Sequence, residues 1–221
     1  MTFLVVVTFF ALFITIDYVM THRRLARAEI VDAPAELPVL EPRWVAGYLM
    51  PEGLHYHRGH TWARPADGGE VVVGLDDFAR RLVGPATRLQ APAVGTRLVQ
   101  GGPAFSLGLD GHVAKLVSPV EGEVAEVNAD VVRRPSLAID DPYGRGWILK
   151  LHPRDIGANL RNLLTGRLAR LWMEDSRQAL DLRLMALSGS VMQDGGEPVA
   201  ELTRHLKQED WERLVHDFLL T

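Results

Sequence analysis

The segment Ser118-Pro119-Val120-Glu121-Gly122-Glu123-Val124-Ala125-Glu126-Val127-Asn128 decides the fold. Val120, Val124 and Val127 recur among polar residues, the pattern of a half-buried antiparallel sheet. Gly122 between two glutamates marks a place where a turn needs a permissive backbone. Outward from this segment lie similar short apolar runs: Glu70 to Leu75, Arg97 to Val99, Phe105 to Leu109, His112 to Val117, Glu123 to Val127 and Trp147 to Leu151. Glycine and proline break them at intervals of roughly ten residues, which predicts a compact, mainly β domain over residues 44–152. One short helix is expected within it, from Asp77 to Val83, with Asp76 as N-cap and Gly84-Pro85 as its stop. Asp110-Gly111 is a favoured two-residue hairpin turn.

The flanks read differently. Residues 153–221 turn helical, with Ile156, Leu160, Leu163, Leu164, Leu168, Leu171 and Trp172 at spacings of three and four. A second helical stretch from about Pro198 to Leu220 places Leu202, Leu206, Trp211, Leu214, Val215 and Phe218 largely on one side. Ser188-Gly189-Ser190 and Gly195-Gly196 read as linker between the two. At the other end, residues 2–20 are apolar apart from threonines, Asp17 and Tyr18, long enough for one transmembrane helix. His22, Arg23, Arg24 and Arg27 follow at once, which predicts a single-pass anchor in the cytoplasmic membrane with the remainder of the chain in the cytoplasm. Residues 1–24 are thus the anchor and its basic flank, and the proline- and acid-rich residues 25–43 a linker.

With 24 basic and 28 acidic residues the chain carries a formal charge of -4, which offers no footprint for nucleic acid. It has no cysteine, so thiol nucleophiles, disulfides and thiolate metal sites are excluded. His55, His57 and His60 lie close in sequence, but no fourth ligand accompanies them and no metal is expected. There is no phosphate loop, nucleophile elbow or HExxH, so nothing argues for an enzyme.

Three segments carry a resemblance: His60-Thr61-Trp62, the Ser118 to Asn128 segment, and Asp141-Pro142-Tyr143-Gly144-Arg145-Gly146-Trp147. Gly74-Leu75-Asp76-Asp77-Phe78-Ala79 and Ala93-Val94-Gly95 add to it. Together they resemble the glycine cleavage H protein, continuously from His60 to Leu151. The resemblance implies a lipoyl-type barrel-sandwich hybrid, here with a helical C-terminal extension. It also implies a lysine at a hairpin tip, in an ESVK-type motif, carrying lipoate on a swinging arm. In the family that lysine stands seven residues before the serine of the SPV segment, and here the position is Gly111; the glutamate of the motif is replaced by Gly108. Lys115, four residues along the returning strand, is the nearest lysine and the alternative lipoyl site.

The resemblance together with the missing lysine implies a non-lipoylated docking or scaffold module without a cofactor. Its partners would be proteins: a membrane complex or lipoyl-dependent enzymes. The residues expected to make such contacts are Asp110, Gly111 and His112 at the tip and Trp211 in the C-terminal helix. Two alternatives stand beside it. One is a lipoyl carrier of glycine cleavage or a related transfer system, with lipoate as its cofactor. The other is an assembly or regulatory factor that captures lipoyl-handling enzymes.

Overall fold

The computed structural model describes residues 41–109, 112–188 and 206–220. Residues 2–20, on which the anchor expectation rests, lie outside them, as do Asp110 and Gly111. Among the described residues no helix is long and apolar enough to cross a membrane.

Eleven strands are described. They are β1 (Trp44–Val45), β2 (Tyr48–Leu49), β3 (His55–Tyr56), β4 (Thr61–Pro65), β5 (Val71–Leu75), β6 (Arg88–Gln90), β7 (Arg97–Leu98), β8 (Pro103–Leu109), β9 (His112–Val117), β10 (Gly122–Val127) and β11 (Leu149–His152). The largest sheet has the order β3-β4-β5-β11-β10-β7, a second has β6-β8-β9, and β1 pairs with β2. Every pairing is antiparallel. The fold is mainly β.

Val71 and Val73 lie in a strand buried on both faces, Val124 is buried and Val127 is half-buried. Val124 and Val127 are three residues apart, so a regular strand would put them on opposite faces. A register irregularity resolves this: Val124 pairs with Leu151 and Val127 with Leu149, which leaves Ala125 as the extra residue of a bulge. Gly122 departs from its expected role. It begins β10 without a positive φ, and a Cβ there would lie 2.9 Å from the carbonyl oxygen of His152. Close backbone approach, and not a turn, requires glycine at this position.

The predicted short helix is α1 (Asp77–Val83), capped by Asp76, whose carboxylate accepts from the Ala79 amide at 2.8 Å, and followed by Gly84 at φ 73°. The sequence suggested one helix within the β domain, and the structure has more. α2 (Ala129–Arg133) and α3 (Leu137–Asp140) lie between β10 and β11. Helices of five and four residues are too short to display a helical period. The signal that could have found α2 is Asn128, whose side chain accepts from the amides of Asp130 and Val131. Trp147 is placed just ahead of the final strand, its ring beneath the Lys150 ammonium at 5.0 Å.

Beyond β11 lie α4 (Ile156–Arg161), α5 (Gly166–Ser188) and α6 (Gln208–Leu219). α5 buries Ala169, Met173, Ser176, Leu180 and Leu184, while Leu168 and Leu171, read from spacing as part of the packed face, are exposed. Trp172 is half-buried beside Tyr56 and His60.

Candidate functional site

The hairpin of β8 and β9 is the candidate site. Its strands pair in register from Phe105 opposite Leu116 to Leu109 opposite His112, leaving Asp110 and Gly111 between them. That spacing is the two-residue connection the Asp-Gly pair favours. On β9 the side chains alternate: Ala114 and Leu116 are buried, Val113 and Lys115 exposed. Lys115 therefore stands on the outer face in mid-strand, opposite Ser106, about 13 Å of strand from residue 111.

Gly108 lies opposite Val113 on the partner strand. A Cβ at this position would come within 3.1 Å of the His112 carbonyl oxygen. A larger residue at 108 would have to shift the strand ends just below the tip. The glycine is thus matched to a closely drawn hairpin.

One flank of the hairpin is covered. α6 packs against β9 and α1, and it buries Trp211, Leu214, Val215 and Leu219. Trp211 meets the His112 ring edge-on at 4.8 Å, and Phe218 meets Phe78 of α1 at 5.2 Å. His112 is accordingly half-buried, with Nδ1 out of reach of water and of any hydrogen-bond partner, and not the outward contact residue that the sequence suggested. Trp211, at 4% exposure, belongs to this internal contact and not to an outward-facing surface. Sequence reading missed the pairing because the two residues are far apart in the chain and joined by no motif.

The residues behind the site explain the remaining matched segments. His60 takes φ 58°, stacks on Phe78 at 3.9 Å and donates from Nδ1 to the buried Asp76 carboxylate at 2.9 Å. Asp76 thereby holds both the start of α1 and the turn into β4. Trp62 is fully buried and donates its indole N–H to the Leu75 carbonyl at 2.9 Å, passing beneath Gly74, where a Cβ would lie 2.6 Å from the ring. Tyr143 accepts from the Asp77 amide at 2.8 Å and donates to the Leu49 carbonyl at 2.6 Å. Burial pushes its phenol well above the ordinary range. Gly146 packs where a Cβ would strike the Leu137 carbonyl at 2.4 Å.

No cluster of three or more histidine or acidic residues suited to a metal exists among the described residues. The His57 Nδ1 instead accepts from the Gly59 amide at 3.0 Å, a role open to the neutral ring alone. Burial lowers the pKa of both His55 and His57, with His60 and Arg58 adding to the effect on His57.

This arrangement defines a β module that displays a hairpin from a three-stranded sheet. Residues 54–176 match the family model described as glycine cleavage H-protein. The chain is 39% identical over 109 residues to the glycine cleavage system H protein of Mycobacterium leprae, covering 49% of this chain and 83% of that protein. It is 38% identical over 109 residues to the one from Thermus thermophilus, covering 49% and 84%. Among solved structures, the glycine cleavage system H protein of Mycobacterium marinum superimposes with a TM-score of 0.50 at 29% identity, covering 57% of this chain and 98% of that one. The chain belongs to the glycine cleavage H-protein family.

The matched residues end within α5, so the C-terminal half of that helix and all of α6 lie beyond the family model. A lipoyl group is joined to a lysine amine, which limits where this chain could carry one. The chain has three lysines. Lys115 is mid-strand, Lys150 is paired with Glu126 at 2.7 Å beside Trp147, and Lys207 precedes α6.

Proposed function

We propose that this chain is a non-lipoylated H-protein-like module, tethered to the cytoplasmic membrane through residues 2–20, that serves as a docking or scaffold subunit for protein partners on the cytoplasmic side. The observation that carries the reading is the hairpin itself. Its strands pair from Phe105–Leu116 to Leu109–His112, and Gly111 and Gly108 stand where the resemblance, counted back from Ser118, expects the lysine and the glutamate. A module that retains the surface and loses the arm still presents a shape that partners of lipoyl proteins can recognise. Asp110 and Gly111, with the neighbouring edge of β9, remain the contact residues of this proposal, and Trp211 packs on the adjoining His112 ring.

Such a module performs no covalent step of its own. Its chemistry is recognition: the paired strands β8 and β9 and the buried framework behind them lower the ordering cost at the moment of binding. Membrane partners and lipoyl-dependent enzymes are both within reach of a module on a linker of this length. Extraction of the tagged full chain in mild detergent, followed by identification of co-purifying proteins, separates the roles. A defined membrane complex supports scaffolding. Recovery of lipoyl-handling enzymes with an unmodified chain supports capture of those enzymes, and recovery with a lipoyl adduct supports a carrier.

A further inference from the structure

The hairpin of β8 and β9 has two faces, and the structure closes one of them. On β9 the inner face carries His112, Ala114 and Leu116. Ala114 and Leu116 are buried, and the His112 ring is covered by Trp211 of α6. The outer face is open and continues onto β6. Pairing across β6, β8 and β9 aligns Arg88, Gly108 and Val113 in one row and Gln90, Ser106 and Lys115 in the next. Where a Gly108 Cβ would stand, Val113 Cγ2 lies at 3.7 Å and Arg88 Cβ at 4.0 Å, so the first row shares one side of the sheet. The Ser106 hydroxyl donates to the Gln90 side-chain oxygen at 3.2 Å, which ties the second row together on that same side. Arg88, Gln90, Val113 and Lys115 are all exposed.

This face offers hydrogen-bond donors and positive charge. Among the described residues neither Arg88 nor Lys115 takes part in an ion pair. Gln90 turns its oxygen to Ser106, which leaves its amide N–H groups for a ligand. Neither row contains a carboxylate, although the chain as a whole carries a formal charge of -4. Two strand spacings and two residues separate Arg88 from Lys115, about 12 Å on the diagonal. Side chains at i and i+4 of an extended chain stand about 13 Å apart on one side, so carboxylates at that interval reach both cations. A lipid surface recruits clusters of about four to eight basic residues, and two cations flanking a hydrogen-bonded amide fall short of that.

Resting on the docking reading above, we propose that the outer face of the β6-β8-β9 sheet is the docking surface, and that Arg88, Gln90 and Lys115 receive an acidic, extended segment of a partner protein. α6 sets the direction of approach by occupying the other side of β9. Charge complementarity of this kind contributes to specificity and encounter rate, and salt screens it.

The full chain in phosphatidylcholine nanodiscs is titrated at low ionic strength with a short fluorescein-labelled peptide of alternating glutamate and threonine. The peptide is expected to bind and its glutamine counterpart is not. Arg88→Glu combined with Lys115→Glu should weaken binding about tenfold or more, with circular dichroism unchanged, whereas Arg88→Lys combined with Lys115→Arg should retain it. Carbodiimide should join a peptide carboxylate to the Lys115 amine in preference to Lys150 and Lys207. Absent binding, binding that survives the double glutamate variant, or coupling chiefly at Lys207 overturns the proposal. So does protection of Lys115 from amine acylation by phosphatidylglycerol nanodiscs without peptide, which assigns the face to lipid. The double glutamate variant also separates this proposal from the docking reading. If it retains the proteins that co-purify with the parent chain, docking stands and this face is not its site. If nothing co-purifies with the parent while the peptide couples to Lys115, the docking reading fails and the acidic-segment site stands.

Discussion

Single residues carry much of the packing that is specific to this chain, and several can be tested in isolation. Gly74 lets β5 pass over the Trp62 ring, which is fixed by its bond to Leu75 and cannot swing away. Gly74→Ala should therefore destabilise the domain by about 1–3 kcal/mol, read from the denaturant midpoint. His55 and His57 give a pH dependence of defined sign. Burial lowers their folded pKa, so the unfolded chain binds more protons as pH falls below the ordinary histidine value. Their contribution is complete above about pH 6.5 and is lost on acidification towards their depressed folded values. The paired variant His55→Gln, His57→Gln should show a shallower loss of stability between pH 7 and 5 than the parent; parallel profiles would mean that the two histidines play no part in it. At this scale the sequence was informative about identity and poor about surroundings. The expectation that Gly111 and Gly108 stand at the lysine and glutamate positions of the motif came from counting along the resemblance. The environment of His112 could not be read in that way, because Trp211 reaches it from a helix beyond the family segment.

Among the elements, α6 makes the clearest prediction. Its apolar stripe of Trp211, Leu214 and Val215 was visible in the spacing, and the structure shows which surface receives it: β9 and α1. Trp211→Ala removes a buried indole and uncovers His112, and should cost about 3–5 kcal/mol in thermal or denaturant unfolding. An effect below about 1 kcal/mol, the size of an ordinary surface change, would mean that α6 is not seated on the hairpin. α1 was legible from end to end because both of its boundaries are chemical, an aspartate cap and a glycine stop. α5 was legible as a helix but not in its orientation. Leucines occur on both of its faces, and the buried one is selected by contacts such as Trp172 on Tyr56, which spacing does not encode. α2 and α3 fell below the length at which periodicity exists. The bulge at Ala125 was equally hidden, since a two-residue period assumes an unbroken ladder.

At the scale of the whole molecule, an H-protein β domain is joined to a helical extension and to an apolar N-terminal segment outside the described residues. The proposed tether is tested by deleting residues 1–24, which should move the protein from the membrane fraction to the soluble fraction with its fold intact. A reporter fused after Thr221 should be active in the cytoplasm, because the basic cluster follows the apolar segment; activity confined to the far side would reverse the proposed orientation. The central claim, that the module works without a lipoyl arm, rests on amine geometry. Moving the amine from residue 111 to Lys115 displaces it by about 13 Å along a strand, well beyond what positioned group transfer tolerates. The same geometry limits repair. Gly111→Lys restores an amine, but the closely drawn strands at Gly108 and the α6 cover beside His112 remain, so weak lipoylation at most is expected. The most direct measurement is the intact mass of the full chain co-expressed with an active lipoyl ligase and supplied with lipoate. The unmodified mass is the expected result, and a lipoyl adduct mapped to Lys115 would contradict the claim.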